Sequence, residues 1–138
     1  MKRTFVLDAC ALIALLAGEP GAEKIRDIVQ EAIDGIITLK MNQINLLEVY
    51  YCIINIYGQH EADKALEKIK EFPVEIIVGL ADDVFKEAGR IKSKYKIPLG
   101  DSIAVAESST GEATLVTSDY KDFQKIETFE KINVSWFR

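Results

Sequence analysis

Five short apolar runs, rich in β-branched and aromatic residues, recur along this chain with segments of helical character between them. The runs are Thr4–Leu7, Ile36–Leu39, Val74–Val78, Thr114–Thr117 and Ile132–Trp136. Ala9–Leu16 is almost wholly apolar and is expected to be a helix buried on most faces. Pro20 suits the first turn of the next helix and Gly35 its exit. Between them Ile25, Ile28, Val29, Ala32 and Ile33 keep the amphipathic period. Asn42 is expected to cap a long helix that reaches Tyr57 and stops at Gly58. Further helices are predicted over Glu61–Glu71, over Asp82–Tyr95, and from Asp101 to about Ser109. The segment from Asp119 to Phe123 is read as a turn, with Phe123 packing it onto the core.

Strands separated by helices require a parallel sheet covered on both faces, because each crossover must carry the chain back across the sheet. Right-handed crossovers reduce the topology to a few doubly wound orders. Sites in such sheets lie beyond the carboxyl ends of the strands. With 138 residues, 49% of them hydrophobic, the chain is expected to form one domain, residues 1–138, around one core. Lys2 and Arg3 precede an apolar run to Ala17, as in a secretory signal. Asp8 interrupts that run, and the remainder is too short to span a bilayer, so a cytoplasmic protein without membrane attachment is expected. Cys10 and Cys52 sit in apolar stretches with no metal-type spacing and are expected to be reduced core thiols.

Four acidic residues punctuate the core-forming segments: Asp8 after F-V-L, Glu48 after N-L-L, Asp101 after P-L-G and Asp119 after L-V-T-S. Each has an ordinary explanation. Asp101 could cap a helix, Asp119 could make an Asx-turn, and Asp122 could belong to a surface turn. Asp8 and Asp119, however, each follow a predicted strand at its carboxyl end. Two unit charges about 4 Å apart repel by about 1 kcal/mol in water and about 4 kcal/mol at an effective dielectric of 20. Several such pairs together demand cations or raised pKa values. Hard oxygen donors without suitable His or Cys partners select Mg²⁺ or Mn²⁺. Ions of this kind serve phosphodiester hydrolysis by in-line displacement.

Other chemistries find less support. His60 is the only histidine and is read as a solvated residue between two helices, which argues against Ser-His-Asp or Cys-His catalysis. No glycine-rich phosphate loop occurs. Lys92, Lys94 and Lys96 around Tyr95 are read first as a solvated helix end that suits the helix dipole, with phosphate contact as the second reading. The net charge of −5 argues against a generally basic nucleic-acid-binding surface, so RNA binding would need a local basic rim.

The stretches F-V-L-D-A-C-A-L-I-A-L-L, N-L-L-E-V-Y-Y, P-L-G-D-S-I-A-V-A and L-V-T-S-D-Y-K-D-F, in this order, resemble the PIN-domain family, and within it the small VapC-type toxin ribonucleases. The resemblance spans nearly the whole chain. It implies a three-layer α/β/α fold whose five-stranded, mostly parallel sheet has the order 3-2-1-4-5, with the acids gathered beyond the central strands. It also implies an Mg²⁺- or Mn²⁺-dependent endoribonuclease, a homodimer and a small cognate antitoxin as partner. On this mapping Asp8, Asp101 and Asp119 would hold metal directly or through water, and Glu48 would complete the cluster. Which carboxylate acts as base stays open. Thr117 and Ser118 would position Asp119 or contact the scissile phosphate, and Asp122 would support the cluster from behind or lie in a surface turn. Many relatives carry a hydroxyl residue one or two positions after the first Asp, whereas Ala9 and Cys10 stand here, so a hydrogen bond near the site is expected to be missing.

Two other classes fit these residues less well. A phosphate-accepting receiver domain would need an acidic pair after the first strand and a lysine after the last, but Ala9 follows Asp8 and the chain ends S-W-F-R. A dehalogenase-type phosphatase would need a second Asp where Cys10 stands. A PIN fold serving as a binding or scaffold module without significant nuclease activity is the alternative within the family. For a partner surface, the Ala9–Ala17 helix and Tyr50, Tyr51 and Tyr57 are candidates, with burial in the chain's own core as the competing explanation.

Overall fold

The computed structural model describes residues 2–138. Five strands, β1 (Arg3–Leu7), β2 (Ile37–Asn42), β3 (Val74–Ile77), β4 (Thr114–Thr117) and β5 (Asn133–Trp136), form one sheet in the order β3-β2-β1-β4-β5. All four pairings are parallel. Among the described residues seven helices cover it: α1 (Ala9–Ala17), α2 (Ala22–Ile33), α3 (Gln43–Tyr57), α4 (Gln59–Ile69), α5 (Asp82–Lys94), α6 (Leu99–Thr110) and α7 (Tyr120–Glu130).

The alternation of side chains along β1 divides the core. Phe5 and Leu7 face a cluster built with Leu12, Ile25, Val49 and Ala62 from α1 to α4. Val6 points the other way, joining Leu115 against Ile91, Val105, Phe123 and Ile126 from α5, α6 and α7. Successive strand residues must point to opposite faces, so one strand anchors both layers. The sheet is therefore sandwiched between helices, as the strand–helix alternation requires. Among the described residues no helix is long and apolar enough to cross a membrane.

Asn42 caps α3 as expected, its side-chain oxygen accepting from Ile44 N at 2.8 Å, and α3 stops at Gly58. Other boundaries moved. Pro20 lies outside α2 and not in its first turn. Gly21, at φ +90°, holds the left-handed conformation that disfavours a side chain, and a Cβ there would overlap the Phe137 carbonyl. The C-terminal segment thus sets where α2 begins. α4 starts at Gln59, which places the exposed His60 in a helical first turn and not between helices. The largest difference is α7, where only a turn was read. Its apolar periodicity is thin, but Asp119 caps it, and Phe123 and Ile126 are fully buried.

Candidate metal centre

β1 and β4 are adjacent and in register, Leu7 opposite Val116, so the residues that follow them emerge side by side. Asp8 leaves β1 in an extended conformation and caps α1, its Oδ1 accepting from Ala11 N at 2.9 Å. It is only 3% exposed. At the end of β4 the buried Thr117 accepts a hydrogen bond from Asp119 N at 3.1 Å through its hydroxyl, which fixes the turn. Asp119 then caps α7, accepting from Asp122 N at 3.4 Å. Asp122 therefore sits in the first turn of α7, folded back beside the residue that caps it.

Asp101 does not cap its helix. α6 begins two residues earlier at Leu99, where Pro98 presets the backbone and its carbonyl accepts from Ser102 N at 3.1 Å. The Asp101 carboxylate is thus left free of capping and joins the acids beyond the sheet. Carboxylate oxygens of Asp101, Asp119 and Asp122 all lie within 4.8 Å of one another. Asp8 and Glu48 stand outside this trio, but both add negative charge at Asp101. Asp122, read as a supporting or surface-turn residue, proves to be one of the three clustered acids.

Glu48 reaches the site from α3. Asn45 Nδ2 donates to Glu48 Oε1 and to the Gly100 carbonyl, both at 3.0 Å, and so ties α3 to the start of α6. Gly100 leaves the room that this requires, since a Cβ there would overlap the Glu48 carboxylate. Asn45 Oδ1 is the one buried side-chain polar atom without a hydrogen-bond partner among the described residues. Neither Asn45 nor Gly100 was singled out in the sequence, because an asparagine and a glycine carry no signal until two helices meet.

The electrostatics follow from burial and like charge. Desolvation, then the charges of Asp8, Asp119, Asp122 and Glu48, push Asp101 up to about 8. Burial also raises Asp8, against hydrogen bonds from Cys10, Thr117 and Ala11 that favour its anion. Glu48 is raised by burial, partly offset by Asn45. Asp119 is raised by burial and by its hydrogen bond with Asp122. No arginine or lysine forms an ion pair with any of the five among the described residues.

Cys10 fills the position where a hydrogen bond was expected to be missing. Its Sγ donates toward Asp8 Oδ1 and Oδ2 at 3.0 and 3.1 Å and lies 3.6 Å from Thr117 Oγ1 and 3.5 Å from Ser118 Oγ. Burial and the Asp8 charge push the thiol up to about 12, so it stays protonated and keeps donating. Both cysteines are free and half-buried, not core residues in the full sense. Cys52 lines a groove between α1, α3 and α4, where apolar residues are joined by Glu19, Glu61, Lys64 and Lys68. The donor set suits a hard divalent cation: the clustered oxygens are carboxylates, the nearby sulfur is a neutral thiol, and the only histidine is elsewhere.

The PIN domain family model matches residues 5–128. No curated protein matches the chain. Among solved structures, a toxin–antitoxin complex from Klebsiella pneumoniae is similar at 21% identity and TM-score 0.66, over 96% of this chain and 97% of that one. VapBC2 from Rickettsia felis, bound to a promoter DNA fragment, is similar at 16% identity and TM-score 0.74, over 96% and 97%. DNA-bound VapBC from Salmonella typhimurium is similar at 12% identity and TM-score 0.74 over the whole of both chains. At such identities the likeness is one of fold.

Proposed function

This chain belongs to the PIN domain family, and on that premise we propose that it is an Mg²⁺- or Mn²⁺-dependent endoribonuclease serving as the toxin of a VapBC-type pair. The observation that carries the reading is the convergence of Asp101, Asp119 and Asp122 beyond β1 and β4, beside Asp8 and Glu48, with no ion pair to any of them among the described residues. Carboxylates held this close are a liability to the fold unless they serve a cation.

Asp101, Asp119 and Asp122 would hold the ion, with Asp8 and Glu48 completing its surroundings directly or through water. A bound divalent cation supplies polarisation of the phosphoryl oxygen and a lowered pKa for an attacking water. The chain's own contribution is positional. Cys10 and Ala11 N orient Asp8, Asn45 orients Glu48, and Thr117 fixes the turn from which Asp119 projects. A carboxylate among these five would accept the proton of the attacking water.

The toxin reading draws on the toxin–antitoxin structures of like fold and on a groove of about 500 Å³ between α1, α3 and α4. Ile13, Leu16, Ile53, Ile56, Tyr57 and Ala65 line it, with Ile56 and Tyr57 mostly exposed. A short antitoxin segment with apolar anchors would cover this surface. Tyr51 is likewise exposed, whereas the Tyr50 hydroxyl donates to Asp63 Oδ1 at 2.7 Å.

The deciding experiment is RNA cleavage by the purified chain with Mg²⁺ or Mn²⁺, with chelator, and in Asp101→Asn. Cleavage that needs the metal and vanishes in the variant is expected. Turnover that survives both treatments, or no turnover on any RNA, would sink the nuclease assignment and leave the fold as a binding module.

A further inference from the structure

Beside the acid cluster a groove of about 740 Å³ opens between the end of α5 and α7. Lys94, Lys96, Lys121, Lys125 and Phe129 line it, and so does Asp122, one of the three clustered acids. The groove and the acid site therefore share a wall. Lys94 is engaged by Glu130 at 3.1 Å. Lys96, Lys121 and Lys125 have no carboxylate within ion-pair distance among the described residues, despite the chain's excess of acids.

Unpaired ammonium groups gathered in a concave surface favour a polyanion. Phe129 narrows the class. The residue is 67% exposed and belongs to no core cluster. An exposed ring in a basic groove is the arrangement that takes a nucleic-acid strand whose bases are unstacked, phosphates on the cations and a base on the ring. A duplex keeps its bases stacked on each other and gains little from such a ring.

We propose that this groove holds the single-stranded RNA segment next to the scissile bond, with Lys96, Lys121 and Lys125 on backbone phosphates and Phe129 under a base. The proposal rests on the nuclease reading of the acid cluster and deepens it. It also locates the local basic rim that a chain of net charge −5 needs in order to approach RNA.

The test is binding of a fluorescent, mixed-sequence single-stranded RNA to the full chain in Mg²⁺ over a salt series, in an Asp101→Asn background that keeps the strand intact. Lys121 is left in place because its charge also acts on Asp119. Adding Lys96→Ala and Lys125→Ala together is expected to weaken binding roughly tenfold at low salt and to flatten the log–log salt slope by about 1.4, the share of two phosphates. Phe129→Ala is expected to weaken binding roughly tenfold with the slope unchanged. Lys2→Ala and Lys86→Ala together, at two exposed lysines outside the groove, supply the charge-matched control. In the otherwise wild-type chain the double lysine variant should raise KM and leave kcat in place. Lysine variants that match the control in affinity and slope would overturn the proposal. So would polyglutamate binding as tightly as RNA with no effect of Phe129→Ala, which would assign the groove to an acidic protein partner. Binding is read on uncleaved strands, so its outcome is separate from whether the wild-type chain cleaves RNA.

Discussion

Two clusters of carboxylates on this molecule have opposite electrostatic fates. In one, Asp101 is half-buried among four other acids and is pushed up to about 8. In the other, Glu130 accepts from Arg90 Nη2 at 2.6 Å, from the Tyr95 hydroxyl at 2.7 Å and from Lys94 Nζ at 3.1 Å, and is drawn down to about 2. The residue types overlap; the partners do not. Glu130 ties α7 to α5 with its charge neutralised by the fold. Asp101 and its neighbours have no ion-pair partner among the described residues, so in the metal-free fold their repulsion is relieved by a proton held on Asp101. The lowered carboxylate of Glu130 goes with a tie between two helices, and the raised carboxylate of Asp101 goes with crowded acids at the candidate metal centre.

The comparison is tested hardest at Asp101. Asp101→Asn is expected to lower kcat for RNA cleavage by roughly a thousandfold. The same change should raise the melting temperature of the metal-free protein at pH 8, because it removes a charge that repels four others. Loss of activity together with loss of stability would mean that the acid is structural. Gly100→Ala is the next largest test. It should displace the Glu48 carboxylate and lower kcat by up to roughly a hundredfold, while the fold survives, since the obstacle is a side-chain end and not backbone. Unchanged activity would remove Glu48 from the site.

Glu130→Gln is expected to cost about 1–2 kcal/mol by denaturant titration, the scale of hydrogen bonds to charged groups discounted for partners half-exposed to solvent. The two clusters should also impose opposite pH dependences. Glu130 is depressed in the folded state, so its contribution is full above its ordinary pKa near 4.5 and is lost as pH falls toward 2. Asp101 is raised, so the folded, metal-free protein holds a proton that the unfolded chain has released, and stability falls as pH climbs from about 4 to about 8. Thermal melts across this range, with and without Mg²⁺, should show the alkaline decline only in the metal-free protein. A flat metal-free profile would contradict the account of Asp101. The smallest effect belongs to Cys10. Cys10→Ser keeps a donor toward Asp8 and should retain activity, whereas Cys10→Ala should lose roughly tenfold, the lower range for groups that orient metal ligands.

Much of the fold was legible because it depends on local periodicity. β-branched runs alternating with helical periods require a covered parallel sheet, and Asp8 and Asp119 could be placed beyond strand ends from order alone. α7 was missed because its buried face rests on only two fully buried apolar residues, Phe123 and Ile126, and because its first turn is held by Asp119, which reads equally well as an Asx-turn. With α7 unread, Asp122 had no reason to turn back toward Asp119. The Asp101 placement was legible only in part. The residue was assigned to a helix start, but its freedom from capping depended on Pro98 beginning the helix earlier.

The amino-acid order by itself determined the layered architecture, the sequence positions of the acids and the bias toward oxygen-bound cations, since these follow from chain-local period and donor chemistry. Tertiary structure alone decided that Asp122 joins the cluster, that Cys10 stands as a neutral donor under Asp8, that Asn45 and Gly100 hold Glu48, and that lysines from α5's end and α7 meet in one groove beside the acids. Those outcomes depend on how distant elements pack, and no window of sequence contains both sides of such a contact.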